Sequence, residues 1–155
     1  MGKTLEGGCQ CGTVRYRVTG RPLTFYACHC KECQKQSASA FGLSLRIEAS
    51  DFDLLSGQPK FWERPADSGD TTVCAFCPVC GSRLYHFGRR EPEVLSLKAG
   101  SLDDTAGLAP VGHIWVRSKQ AWVDLAGLPG DLVFEAEPPS FDEFLRRWQA
   151  VSERA

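Results

Sequence analysis

The cysteines constrain this chain most, because eight of them fall into three short clusters. The clusters read CQC at 9–11, CHCKEC at 28–33 and CAFCPVC at 74–80. The N-terminal residues MGKTLEGGCQ contain no apolar core of a signal peptide, so we expect a protein of the reducing cytoplasm. Close-set cysteines in such a protein are more often metal ligands than disulfide partners. The alternative is a secreted domain held by disulfides, but a chain of 155 residues can bury a sufficient core without them.

The third cluster contains CPVCG at 77–81, which is the pattern of a zinc knuckle. A knuckle supplies two thiolates on a tight turn, and a structural zinc takes four ligands in a tetrahedron. The best complement to Cys77 and Cys80 is the other close-set pair, Cys9 and Cys11. The spacing therefore predicts a closed four-cysteine site that clips the N-terminal strand to the middle of the chain and stabilises the fold.

The second cluster supplies an odd number of ligands, Cys28, Cys30 and Cys33. Three protein ligands and one open position are the composition of a catalytic zinc site. We therefore expect two zinc ions per chain, one structural and one catalytic. His29 lies within this cluster, but alternation along the chain points its side chain away from the metal. Cys74 is left over as a fourth ligand, a redox partner or a buried apolar residue, and the buried interpretation is favoured.

Alternation of apolar and polar residues predicts a mainly β domain. The segments with this pattern are TVRYRV at 13–18, FGLSLRI at 41–47, RLYHF at 83–87, EVLSLKA at 93–99 and HIWV at 113–116. A short helix is predicted after Cys33. A second helix lies near the C-terminus, with Ser140 as N-cap, Glu143 completing a capping box, and an apolar stripe of Phe141, Phe144, Leu145 and Trp148.

The formal charge of the chain is -1, and its Lys and Arg residues form no basic run. This balance argues against binding to a nucleic-acid backbone. No apolar run is long enough to cross a bilayer, so we expect no membrane partner.

The motifs EGGCQCGTVRY, ACHCKECQKQSASAF, FCPVCGSRLY, KAGSLDD and HIWVRSKQAWVDL occur in this order between about Gly7 and Leu125. Together they resemble the glutathione-dependent formaldehyde-activating enzyme family, or CENP-V/GFA family. The resemblance implies a mainly β, Mss4-like fold with two zinc sites. Together with the short C-terminal helix predicted above, it leads us to expect a zinc-binding domain at 3–135, with residues 136–155 as a helical extension packed on it.

Carried over residue by residue, the resemblance assigns the structural zinc to Cys9, Cys11, Cys77 and Cys80, and the catalytic zinc to Cys28, Cys30 and Cys33. Cys74 is an addition to the family pattern. The activity implied is that of a carbon-sulfur lyase that condenses a small thiol, glutathione in the family name, with formaldehyde to S-hydroxymethylglutathione. The rival classes are a non-catalytic zinc module that binds a protein partner and a thiol redox or metal-buffering protein.

The sequence does not indicate which residues would bind the part of a thiol substrate that lies beyond its sulfur. Cationic candidates for its carboxylates are available, but exposed surface is the favoured interpretation of each: Lys31, Lys35, Arg83 and Arg117. Tryptophans could wall a pocket, although core packing is favoured for them: Trp62, Trp115 and Trp122. His86 and His113 are candidate proton carriers or hydrogen-bonded supports of the site.

Overall fold

The structure is a computed structural model that describes residues 4–126 and 132–153. Its strands are β1 Leu5–Gly8, β2 Arg15–Val18, β3 Thr24–Cys28, β4 Gly42–Glu48, β5 Phe52–Ser56, β6 Lys60–Pro65, β7 Thr71–Phe76, β8 Arg83–Gly88, β9 Glu91–Lys98, β10 Gly112–Ile114 and β11 Leu132–Val133. Its α-helices are α1 Lys31–Ser37 and α2 Asp142–Ser152. The predicted mainly β class with a short C-terminal helix is confirmed.

The chain divides into two compact units, each made of two separate stretches of sequence. Of the described residues, the first unit contains 4–22 together with 45–107, and the second contains 23–44 together with 108–126 and 132–153. Strand β4 contributes to both, because the division falls between Ser44 and Leu45.

The first unit contains an antiparallel three-stranded sheet in the order β1-β2-β5. In its second sheet region, β4, β9, β8, β7 and β6 lie side by side in this order. Val14, Tyr16 and Val18 are fully buried, as the alternation of β2 predicts, while Arg15 and Arg17 stay partly exposed. The Tyr16 hydroxyl lies 2.7 Å from Ser101 Oγ, which donates to the carbonyl of Lys98. The tyrosine is therefore the donor to the serine.

In the second unit β10 lies between β3 and β11 and runs parallel to both. Helix α2 packs on β3, where Trp148 meets Phe25 edge to face and the Phe144 carbonyl accepts a 3.0 Å hydrogen bond from Thr24 Oγ1. Phe144 is fully buried. The apolar stripe of this helix is therefore confirmed as its packing face.

Three local predictions are wrong in their boundaries: those of the two helices and that of the strand HIWV. Helix α1 begins at Lys31, before Cys33, because Cys30 caps it by accepting a hydrogen bond from the backbone N–H of Cys33. Helix α2 has Phe141 at its N-cap, so the predicted capping box is not formed, although Ser140 Oγ still accepts from the Asp142 N–H at 3.1 Å.

The segment HIWV leaves the strand after Ile114, because the next residue, Trp115, adopts the left-handed conformation with φ of 58°. A 3-10 turn follows at Val116–Ser118. Among the described residues no helix is both long and apolar enough to span a membrane.

Candidate metal centres

The first unit brings together the four cysteines predicted for the structural zinc. The Sγ atoms of Cys9, Cys11, Cys77 and Cys80 all lie within 4.8 Å of one another. Cys11 Sγ is 3.5 Å from Cys9 Sγ and 3.8 Å from Cys77 Sγ. A tetrahedron with zinc-sulfur bonds of about 2.3 Å requires sulfurs about 3.8 Å apart, so these residues fit a zinc ion.

Each half of this four-cysteine cluster is a tight turn with backbone amides directed at sulfur. The N–H of Val14 donates to Cys9 Sγ at 3.2 Å, and the N–H of Val79 donates to Cys77 Sγ at 3.4 Å. Gly12 and Gly81 follow the cysteine pairs with φ of 79° and 77°, a left-handed backbone that glycine adopts without strain. The glycine after each pair is what lets the chain fold back onto its own thiols.

Ser82 links the two turns. Its hydroxyl accepts from the backbone N–H of Gln10 at 3.0 Å and lies 3.2 Å from Cys80 Sγ, to which it can donate. This hydrogen bond is the main reason that the pKa of Cys80 is lowered, to about 5. A thiol poised as thiolate is the form that binds a metal.

The second unit brings together the other three predicted ligands. Cys28 ends β3, Cys30 caps α1 and Cys33 lies in its first turn, so strand and helix both position this three-cysteine cluster. Their Sγ atoms also lie within 4.8 Å of one another, and Cys28 and Cys33 are buried. Among the described residues this cluster contains no His, Asp, Glu or fourth Cys ligand.

The three thiols strongly perturb one another. Hydrogen bonds from Cys28 and Cys33 lower the pKa of Cys30, and the bonds to Cys30 and Cys33 raise the pKa of Cys28. One thiolate stabilised by two neutral thiols is the arrangement expected without a cation, because three adjacent negative charges repel. A bound cation removes that repulsion, so the cluster suits a metal such as zinc.

Gln34 fastens this cluster to the loop after β10. Its Nε2 donates to the carbonyl of His29 at 2.8 Å and to the carbonyl of Ser118 at 2.9 Å. Gln34 of helix α1 therefore holds the backbone of His29, the residue between the predicted ligands Cys28 and Cys30. Sequence reasoning missed Gln34, because nothing in the letters QKQ marks one glutamine as a tie between two loops.

His29 points away from the three sulfurs, as predicted. It is fully buried, its ring lies against Phe41, and its Nε2 is 3.1 Å from His113 Nδ1. Burial, reinforced by the positive charge of His113 and Lys119, lowers the pKa of His29 to about 4. The two predicted histidines of this unit therefore form a buried pair beside the cluster.

The remaining candidates divide between surface and interior. Lys31, Lys35 and Arg117 are exposed, as expected. Arg83 is not, because its Nε is buried and has no hydrogen-bond partner among the described residues. Cys74 is 1% exposed, which confirms the buried interpretation.

Core packing is wrong for two of the tryptophans. Trp62 is 52% exposed and Trp122 is 75% exposed. Trp62 lies on β6, at the edge of its sheet, and Trp122 lies in the loop that follows the turn at Val116–Ser118. Trp115 is partly buried and stacks with the Arg117 guanidinium, 4.7 Å from the ring centroid.

Comparison with known proteins agrees with this geometry. The sequence model of the family described as "Glutathione-dependent formaldehyde-activating enzyme" matches residues 4–118, a span that contains all seven clustered cysteines. A protein of Halomonas elongata named "Putative glutathione-dependent formaldehyde-activating enzyme" is 28% identical over 151 residues, covering 94% of both chains.

A crystal structure of a Rhodobacter sphaeroides protein is similar in fold, with a TM-score of 0.52 at 22% sequence identity. It covers 68% of this chain and 91% of its own. The family match, which spans most of the chain and includes both cysteine clusters, decides the assignment: this protein belongs to the glutathione-dependent formaldehyde-activating enzyme family.

Proposed function

We propose that the protein is a zinc-dependent carbon-sulfur lyase that makes and breaks the adduct of a small thiol with formaldehyde. The observation that carries this proposal is the ligand count of the three-cysteine cluster, which leaves a coordination position for a substrate. The family supports a thiol such as glutathione as that substrate. A binding module for a protein partner would be expected to close the position with a fourth side chain.

The three cysteines have the central role in this chemistry. Cys28, Cys30 and Cys33 would hold a zinc ion, whose positive charge would favour the thiolate form of a substrate thiol at this cluster. The substrate sulfur then forms a bond to the carbonyl carbon of formaldehyde, and the proton that left the thiol ends on the aldehyde oxygen. The reverse reaction breaks the same carbon-sulfur bond and returns the proton to sulfur. No electron is gained or lost.

The other residues hold this arrangement in place. Cys33 contributes its backbone N–H as well as its thiolate, because that N–H donates to Cys30 Sγ at 3.3 Å. Gln34 fixes the loop, and the buried pair of His29 and His113 lies beside it. We assign the four-cysteine cluster a structural role, since it joins chain segments 66 positions apart and two of its members, Cys9 and Cys77, are buried.

We place the protein in the cytoplasm, because all eight cysteines are free and neither cluster binds metal once oxidised. The substrate partner is a small thiol, with no role proposed for nucleic acid or membrane. If the protein does not catalyse this reaction, the alternatives are a zinc module that binds a protein partner and a thiol redox or metal-buffering protein.

The test measures exchange of carbon-13 formaldehyde with its glutathione adduct by NMR, using zinc-replete protein. We expect the protein to accelerate exchange above the uncatalysed rate, and Cys30→Ser to abolish that acceleration. Cys74→Ser is the matched control, since Cys74 belongs to neither cluster. Exchange at the uncatalysed rate for glutathione and for every other small thiol tried would overturn the lyase assignment.

A further inference from the structure

The sheet region of the first unit has two chemically different faces. Tyr85 pairs with Leu97 across β8 and β9, and its ring packs on the Phe52 ring, with the ring centroids 5.0 Å apart. Because side chains alternate along a strand, the neighbouring position on β8, His86, belongs to the opposite face. That face carries polar side chains where an apolar layer would be expected.

One row crosses this polar face from edge to interior. Its members are cross-strand partners on four consecutive strands, Trp62, Cys74, His86 and Ser96. Trp62 is half exposed, while Cys74 and Ser96 are 1% and 8% exposed. The row is therefore open to solvent at the edge strand, buried at Cys74 and Ser96, and partly exposed at His86 between them.

Four cations, each from a different strand, lie close enough to His86 to act on it electrostatically. They are Arg46 of β4, Arg64 of β6, Arg83 of β8 and Lys98 of β9. We call this set of four side chains the basic face. Burial, reinforced by these four charges, lowers the pKa of His86 well below its ordinary value. The imidazole is therefore a neutral hydrogen-bonding group in a positive electrostatic field.

Arg83 reaches this face through an irregularity of the sheet. Ala75 pairs with Tyr85 but the next residue, Phe76, pairs with Arg83, so one residue of β8 is skipped. The bulge turns Arg83 toward the side that His86 occupies. Simple alternation would have placed it with Tyr85, which is why the sequence did not connect it with this cluster.

Two cations of the basic face are largely buried. Lys98 is only 8% exposed and the Arg46 side chain 14%. Arg46 is paired with Glu91 at 2.8 Å, at the margin of the face where Glu91 is more than half exposed. Arg83 Nε, in contrast, is buried and has no hydrogen-bond partner among the described residues. Buried polar groups are almost always paired, so this orphan donor indicates a missing acceptor.

We propose that the basic face is a binding site for an oxyanion, either a carboxylate or a phosphate, carried by a small organic molecule. The planar guanidinium of Arg83 presents a fork of donors that matches either group, and Lys98 adds a point charge. The neutral His86 offers an uncharged hydrogen-bonding contact beside these two cations. The proposal does not rest on the metal chemistry, because no residue of this site is one of the clustered cysteines.

The test is calorimetric titration of zinc-replete protein at low ionic strength with two probes. S-Methylglutathione carries carboxylates but has its sulfur blocked, so it reports on anion binding without metal coordination. Inorganic phosphate tests the other source of oxyanion. We expect saturable binding of at least one probe, weakened by added salt. Arg83→Gln should reduce its affinity about tenfold or more, because a charge-assisted hydrogen bond is lost.

Arg90→Gln is the matched control, since it removes the same charge from a side chain that is 73% exposed. Its affinity should stay within about twofold of the unaltered protein, as expected for a rim charge. If Arg83→Gln does not fold, binding is measured on the unaltered protein from the NMR signals of its arginine Nε–H groups. One of these signals should then shift when the probe is titrated. Absence of binding by both probes, or an equal loss in both variants, would overturn the proposal. The thiol response of the three-cysteine cluster is measured separately and is independent of this result.

Discussion

Ala38 is a residue in an unfavourable backbone conformation at the end of helix α1. Its φ of 49° and ψ of 39° are left-handed, and its N–H bonds the carbonyls of Gln34 and Lys35 to close the helix. This C-terminal position is where glycine is preferred, because a Cβ in the left-handed region costs about 1 kcal/mol or more. The strain lies five residues after Cys33, on the helix that carries the three-cysteine cluster.

We expect Ala38→Gly to raise the free energy of unfolding by about 1 kcal/mol, because the left-handed strain is removed. Chemical denaturation with zinc present measures this. Ala150→Gly, in the regular part of helix α2, should have the opposite sign and cost about 1 kcal/mol. A loss of stability in both variants would contradict the strain at Ala38.

His86 gives the stability a pH dependence whose sign follows from its lowered pKa. The unfolded chain binds a proton at this residue below about pH 6.5, while the folded protein keeps it neutral to much lower pH. The unfolded state then holds more protons, so stability is lost as the pH falls below about 6.5.

We therefore expect the free energy of unfolding to decrease between about pH 6.5 and 5, by up to about 1.4 kcal/mol per pH unit from this residue. His86→Gln should have a shallower slope over the same range. Zinc content must be equal in both proteins, because acid also releases metal from thiolates. Identical slopes would mean that His86 titrates alike in the folded and unfolded states.

At the scale of elements, helix α1 matters because it both supplies a ligand and ties the ligand loop. Gln34 donates from one amide group to two carbonyls, those of His29 and Ser118. A carboxylate has the same shape as the amide but no donor, so it would face both carbonyl oxygens without a hydrogen bond.

Gln34→Glu should therefore weaken metal binding at the three-cysteine cluster by about tenfold or more, as expected when a residue supporting the ligands is lost. Competition with a chelator measures the affinity, and the four-cysteine cluster should be unaffected. Gln149→Glu makes the same change on helix α2 and should leave both affinities unaltered. Equal metal affinity in Gln34→Glu would show that the tie is dispensable.

The strands and turns also show which features can be predicted from the sequence and which cannot. The alternation that buries Tyr16 and Val18 is local and was predicted correctly. The cysteine spacings are local too, and the structure brings the cysteines together in the two groups that these spacings indicate. The left-handed turn at Trp115 is set by tertiary hydrogen bonds, such as its N–H to the carbonyl of Ala136 at 3.1 Å. The bulge that turns Arg83 depends on the register between two strands. Neither the turn nor the bulge can be predicted from one short stretch of sequence.

At the scale of the whole molecule, each compact unit contains one cysteine cluster. The four-cysteine cluster joins the two ends of a long chain segment, whereas the three-cysteine cluster spans only six residues. The division into residues 3–135 and an extension at 136–155 stays a prediction. What the structure adds is that helix α2 belongs to the same unit as the three-cysteine cluster.

This difference predicts unequal effects of ligand loss. Cys77→Ser should abolish the folded state of the first unit, because a structural zinc contributes on the order of 10 kcal/mol. Cys30→Ser should remain folded and lose one equivalent of zinc. Circular dichroism and elemental analysis of the two variants measure both quantities. Equal loss of thermal stability in the two proteins would contradict the division of roles.

The central claim is that the metal at Cys28, Cys30 and Cys33 keeps a position open to an external thiol. Cobalt in place of zinc tests it directly, since its visible spectrum responds to each thiolate ligand. Titration with glutathione should change the bands of one cobalt only, leave those of the four-cysteine cluster constant, and have no effect in Cys33→Ser. A spectrum with two cobalt ions bound that no small thiol alters would contradict the account.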